Sequence, residues 1–505
     1  MKYDYLVIGA GVSGISSALL LARFGFRVAL LEQAPRLAPL IDGFVRHGVY
    51  FETGFHYAGG LEAGGVLERS LRLLGVADDL QRVSLDDLAY DTVIQPESGL
   101  NFSFPQGYEA LSTALQKHFP GQAGSIVEYL KRIREATQNL PYYHRQAGLS
   151  PLRLADLHGQ SLEQVLDELS IAGDLRTLLA VHCLLYGALP AEIPFAIHAG
   201  VVDGYYRSAS TFAGGGRALV KALQAALKQA GVDLFCRHQV SAIELTAAGA
   251  IAGVRCENGV RLQASGAIST LHPEAMLKLL PDSVFRPVYR RRLKALAETP
   301  SADIVFLRCQ FQAADFSAGG ASKFNRFAGR NFFFLPRTEA FSGNLDRSID
   351  ERLLYLNFAA CGGFTDSREC GITAILPASV TACGSAEPAG QQYAERKVEV
   401  GEQVRERILD LLPEIGRGLK VECVSTTKTL QRINLSPKGS LYGVKHMVGQ
   451  FNPASKTRLD NFFLAGQAIA APGVLGAITS AQMAVAEIVG HDKVQALRSE
   501  VVCDG

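Results

Sequence analysis

The chain has 505 residues, 48% of them hydrophobic and 20% charged, and a formal net charge of +1. That length exceeds what one hydrophobic core serves and predicts two or three domains, while near-neutrality, with a pI near 7.6, argues against a nucleic-acid partner. Nine cysteines without a CxxC pair argue against a cysteine-held metal and suit reduced thiols, so no metal site is expected. The N-terminus reads directly into a strand, and the long apolar runs are broken by glycine. A cytoplasmic protein, soluble or monotopic, is therefore expected.

Tyr5 to Ile8 predicts a short strand that runs into Gly9-Ala10-Gly11-Val12-Ser13-Gly14, followed by a helix, a second strand over Arg27 to Leu31, and Glu32. Strand, glycine turn, helix and a terminal acid about 20 residues on form the grip of a Rossmann unit on an ADP moiety. Gly9 permits the tight turn, Gly11 lets the backbone approach a pyrophosphate, and Gly14 lets helix pack on strand. Glu32 is placed to accept hydrogen bonds from ribose. The spacing alone does not separate FAD from NAD, because both present the same half.

From about 66 to 209 the period is mostly helical, as at Leu111, Leu115 and Phe119, or Ile126, Tyr129, Leu130 and Ile133. Near Ser210 a second nucleotide-type segment begins. Gly214-Gly215-Gly216-Arg217 opens an amphipathic helix, and strands follow at 232–235, 240–245, 251–255, 260–262 and 266–269. Residues 275–440 alternate strands such as 304–307 and 332–335 with helices such as 404–412. A third segment, Asn461 to Gly466, predicts a strand, then a loop through Pro472-Gly473-Val474-Leu475-Gly476 and a helix from about Ala477. Two helix N-termini aimed at anions suit a large dinucleotide.

In these motifs the chain resembles the flavin-dependent amine oxidase and phytoene desaturase superfamily, nearest its retinol saturase and carotenoid isomerase branch. The segment Phe51-Glu52-Thr53-Gly54-Phe55-His56-Tyr57 is similar to that branch's FDxGxH stretch, and Phe104-Pro105-Gln106-Gly107 to its FPxG turn. Gly439-Ser440-Leu441-Tyr442-Gly443 resembles its GSxYG stretch, and Phe463 to Gln467 with Pro472-Gly473 and Gly476-Ala477 its terminal flavin motif. Two departures stand out. The usual glycine-arginine turn after the ribose-binding acid is replaced by Gln33 to Ile41, and Glu52 stands where the pattern has aspartate.

The resemblance implies an α/β fold with a Rossmann-type FAD-binding domain assembled from three chain segments, 1–65, 210–274 and 441–505. Residues 66–209 and 275–440 are then an α+β substrate domain. It implies cofactor contacts at Gly9, Gly11, Val12, Ser13, Gly14, Glu32, Gln33, Gly54, Val240, Gly466, Gln467, Gly473, Val474, Gly476 and Ala477, Val240 through its backbone. FAD is the implied cofactor, with NAD(P)H an electron donor to be tested. His56 is the leading catalytic residue, because an imidazole beside the flavin can deliver a proton; Tyr57 and Tyr442 are alternatives for that task.

Phe195, Tyr205, Tyr206, Phe324, Phe327 and Phe332 to Phe334 could wall an apolar tunnel or be ordinary core. Lys445 and His446 read as a solvated loop before a contact with the flavin or a substrate head group, Arg217 as a phosphate contact or a surface cap. Arg286 and Arg290 to Arg292 on a helix with Val288, Tyr289 and Leu293 could lie on an anionic membrane or be a solvated face. The expected activity is FAD-dependent saturation or desaturation of a carbon–carbon double bond in an apolar polyene or lipid-like small molecule. Redox-neutral isomerisation, amine oxidation and a non-catalytic flavin- or lipid-binding role are the alternatives.

Overall fold

Two seven-stranded sheets organise the computed structural model, which describes residues 2–138, 140, 142–143, 159–310, 327, 329–336, 345–358, 369–380, 390–416 and 418–503. The first sheet runs in the order Val240–Leu245, Ile251–Cys256, Arg261–Ser269, Lys2–Ile8, Val28–Leu31, Asp233–Phe235, with Phe462–Leu464 also paired to Arg261–Ser269. Lys2–Ile8 and its neighbours on both sides are parallel, and Leu6, Val7, Ile8 and all of Val28–Leu31 are buried. Parallel strands covered on both faces need such uninterrupted apolar runs. The helices Val12–Arg23 and Gly473–Val489 lie side by side against this sheet.

The expected strands at 260–262 and 266–269 are one strand, Arg261–Ser269. Its first half pairs antiparallel with Ile251–Cys256 and its second half parallel with Phe462–Leu464. Gly266, read as the strand's beginning, is instead its midpoint, where an added Cβ would come within 2.6 Å of the Tyr5 ring. Close approach, not chain termination, explains the glycine.

The second sheet has the order Lys420–Ser425, Ser301–Gln310, Glu369–Ala378, Leu354–Phe358, Asn331–Phe334, Asp91–Gln95, Leu100–Phe104. Its last two strands come from the stretch expected to be mostly helical. Asp91–Gln95 is only five residues long and pairs in parallel with Asn331–Phe334, far away in sequence, so local periodicity could not expose it. The helix expected over 404–412 begins at Gln391; its first turns are polar and solvated, so apolar spacing does not mark them.

Alternation along Asn331–Phe334 sorts the aromatic residues. Phe332 and Phe334 enter the core with Phe327, while Phe333 turns to the opposite face. The basic helix is Pro287–Lys294, with Leu293 buried, Val288 65% exposed and Arg290 paired with Asp282. Among the described residues, no helix is long and apolar enough to cross a membrane.

Candidate active site

A cavity of about 1650 Å³ runs between the two sheets. One end is made of main chain. Gly9, Gly11, Val12 and Ser13 line it at the start of the Val12–Arg23 helix, and Gly466, Gln467, Gly473, Val474, Gly476 and Ala477 line it around the start of Gly473–Val489. Neither helix has a side-chain N-cap, so N–H groups of both first turns are left for a ligand in the same cavity. Gly9 takes φ +97 and Gly473 φ +84, conformations a side chain would strain.

Gly14 stands outside the cavity wall: a Cβ there would come within 1.8 Å of the Gly9 carbonyl oxygen. Its role is helix packing, as its place in the turn implies. Ser480 Oγ lies 2.9 Å from Ser13 Oγ and accepts the Gly466 N–H at 2.9 Å, locking the two helix starts together.

Glu32 closes the second strand. Its two carboxylate oxygens accept the N–H groups of Ala10 and Ala34, each at 2.8 Å. A carboxylate has about four acceptor positions, so each oxygen retains capacity for a ribose hydroxyl. Gln33 and Val240 line the same end, and Gly54 with His56 carries the wall onward. Two uncapped helix starts, an acid at ribose position and open space over Gly11 fit a dinucleotide with a pyrophosphate between two nucleoside-like halves.

Arg217 does not reach this cavity. Its guanidinium lies 3.5 Å from Asp42 and stacks over Tyr50, so the expected phosphate contact is corrected to a paired surface position. Lys445 and His446 are corrected in the other direction. They line the cavity; Lys445 Nζ donates to Glu192 at 2.8 Å, and His446 Nε2 is 2.7 Å from the Gln467 carbonyl.

Beyond the cradle, the cavity enters an arm made of side chains. Tyr57, Tyr205, Phe333, Tyr355, Tyr442 and His56 line it together with Ile304, Leu353, Ile375 and Leu430, and Arg347, Glu351 and Arg352 also belong to the cavity lining. Of the expected tunnel aromatics, Tyr205 and Phe333 line it. Phe195, Tyr206, Phe327, Phe332 and Phe334 are core, and Phe324 lies outside the described residues.

The arm rests on a buried polar network that no motif announced. Asp91, fully buried, accepts the Tyr57 hydroxyl at 2.8 Å, lies 3.1 Å from His182 Nε2 and accepts the Asn331 amide at 2.8 Å. Asn331 in turn accepts from Tyr355 at 3.1 Å and Asn357 at 2.8 Å. Burial, then the Asp91 charge, pushes the Tyr57 phenol well above its ordinary value. Tyr57 therefore offers the cavity its ring, while its proton is held by Asp91 behind the wall. Burial pushes the Tyr442 phenol up to about 12. His56 lines the cavity with Nδ1 buried, 3.6 Å from the Glu52 carboxylate.

Residues 12–345 match the family described as flavin-containing amine oxidoreductases. The chain belongs to that family. The protein is thus an FAD-dependent oxidoreductase. The chain is 23% identical to human all-trans-retinol 13,14-reductase over 532 residues, covering 95% of this chain and 84% of that protein. The zebrafish (Danio rerio) enzyme of the same name is 24% identical, with the same coverage of 95% and 84%. A phytoene desaturase from Cercospora nicotianae is 25% identical over 55% of this chain and 46% of its own. Among solved structures, putrescine oxidase bound to putrescine superposes with a TM-score of 0.62 at 16% identity, over 97% of this chain and 99% of that one. An oxidoreductase from Methanosarcina mazei gives 0.61 at 17% identity, over 96% and 100%. These likenesses show a shared flavoprotein fold.

Proposed function

We propose that the protein reduces a carbon–carbon double bond of an apolar, conjugated, chain-like molecule, with His56 as proton donor. The inner arm carries this reading. It opens from the cradle and is walled by Ile304, Phe333, Leu353, Ile375 and Leu430. Arg352, at its edge, is committed to Asp303 at 2.9 Å and to the carbonyls of Pro377 and Leu376. Walls of this kind desolvate an uncharged chain at far lower cost than an ion.

FAD, once bound and reduced by an external two-electron donor such as NAD(P)H, would supply the hydride. The chain's own residues supply the rest: the arm excludes water and aligns the double bond, and His56 delivers a proton from the imidazole nitrogen facing the cavity. One alkene carbon takes the hydride and its neighbour the proton, so two C–H bonds replace the π bond. The imidazole is left neutral and regains its proton from water. Tyr57 is not assigned the proton, because its hydroxyl is bound to Asp91. Similarity to the retinol reductases over almost the whole chain supports reduction; the shorter match to phytoene desaturase supports the same exchange in reverse.

The test is anaerobic reduction of the purified flavoprotein by dithionite or NADPH, then addition of all-trans-retinol and a carotenoid panel. Flavin bands restored by a polyene, with a product two hydrogens heavier, are expected. Flavin restored by oxygen alone, with every polyene recovered unchanged, overturns the reading.

A further inference from the structure

Glu52 and His56 leave one irregular segment four residues apart, and the fold turns both inward. Glu52 Oε2 lies 3.6 Å from His56 Nδ1; the carboxylate side chain is 1% exposed and the imidazole 13%. The distance is that of an ion pair and longer than a hydrogen bond. Catalytic hydrogen bonds are often long before ligand binds and tighten in the complex. Thr373, on the adjoining strand Glu369–Ala378, donates to the Glu52 carbonyl at 3.2 Å and fixes the main chain from which the carboxylate projects. Nδ1 is the buried nitrogen of His56, which leaves Nε2 as the one on the cavity side.

We infer that Glu52 is a positioning residue: it fixes the His56 ring with Nδ1–H towards its carboxylate and Nε2 towards the substrate, the nitrogen from which the proton leaves. The inference rests on His56 as the proton donor. It also gives a use to the departure from the FDxGxH pattern, because the extra methylene of glutamate carries the carboxylate further towards the ring. The other titratable groups around the pair are Tyr57 on its own segment, Tyr355 on Leu354–Phe358, Tyr205 on Phe195–Arg207 and Tyr442. Behind the wall stand Asp91 and His182. Burial pushes all four phenols up, so they stay protonated at neutral pH.

A readout that needs no substrate tests the pair. The holoenzyme, labelled with nitrogen-15 at its 11 histidines, is titrated by NMR; the His56 signals are those lost in His56→Asn. In the native protein the neutral ring is expected in the Nδ1–H form, and in Glu52→Gln as a mixture with the Nε2–H form. Glu52→Asp, which keeps the charge but retracts it, is expected to keep the Nδ1–H form and guards against a glutamine variant that fails to fold. Identical His56 tautomers in native and glutamine proteins overturn the inference.

With all-trans-retinol as probe, Glu52→Gln is expected to slow flavin reoxidation by about 100-fold with KM little changed, the scale of a lost general acid, and Glu52→Asp to recover part of it. Unchanged rates in both variants also overturn the inference. A tautomer that responds as expected in a native protein whose flavin no polyene reoxidises keeps the pair and overturns the functional reading.

Discussion

The two ends of the cavity are built on different principles. At the cradle end, two helix starts present main-chain groups to the cavity, and the lining residues there are small: Gly9, Gly11, Gly473 and Gly476. At the inner end, side chains from a strand pair, a short helix and an irregular segment far apart in sequence come together, with Asp91 bridging Tyr57, His182 and Asn331. A site made of backbone needs specific residues at fixed local spacing. A site made of side chains needs only that distant strands arrive in register.

The sharpest way to test this contrast is at the cradle. An added Cβ at Gly11 meets no atom within 4 Å, whereas one at Gly14 meets the Gly9 carbonyl at 1.8 Å. Gly11→Val is expected to weaken FAD binding by about a thousandfold, roughly 4 kcal/mol, with circular dichroism unchanged. Gly14→Val is expected to disrupt the fold itself. Equal damage from both, by FAD fluorescence and melting temperature, breaks the distinction between a binding and a packing glycine.

At the inner end, Asp91→Ala strands three buried donors and is expected to cost about 4 kcal/mol in urea denaturation. FAD affinity per folded molecule should hold.

The helix Phe195–Arg207 gives the arm Tyr205 and carries His198 on its hidden side, with ring nitrogens 2.8 Å from the Tyr129 hydroxyl and 2.7 Å from that of Tyr186. Burial lowers the His198 pKa to about 3. An unfolded histidine titrates near pH 6.5. Below that pH the unfolded chain takes up a proton that the folded chain refuses until about pH 3, so stability falls as pH falls. About 2 kcal/mol should be lost between pH 7 and pH 5, measured as urea midpoints. His198→Gln should flatten this slope.

The smallest effect is expected at Tyr57. Tyr57→Phe removes one hydrogen bond to Asp91, worth about 1 kcal/mol, and should change polyene reduction by less than about tenfold, because the hydroxyl faces away from the cavity. Loss of turnover as deep as in His56→Asn, measured by single-turnover flavin reoxidation, makes Tyr57 the donor and breaks the assignment.

Local sequence determined the nucleotide end almost completely. Glycine spacing, a terminal acid and an apolar strand act within about 30 residues, and each constraint is steric or electrostatic at short range. Gln33, Val240 and Gly54 line the same cavity. The same reading placed His56 and Tyr442 on the cavity but could not orient them.

Tertiary structure alone decided the rest. Asp91–Gln95 is too short and too ordinary to announce a strand until Asn331–Phe334 pairs with it. That pairing brings Asp91 beneath Tyr57 and turns a candidate acid into a wall. Which phenylalanines line the arm followed from the pleat, which sends Phe333 one way and Phe332 and Phe334 the other. Lys445 and His446, polar and glycine-flanked, looked solvated until Glu192 and Gln467 closed over them. Hydrogen bonds between residues far apart in the chain leave no periodic trace along it, because their geometry exists only once the sheets have assembled.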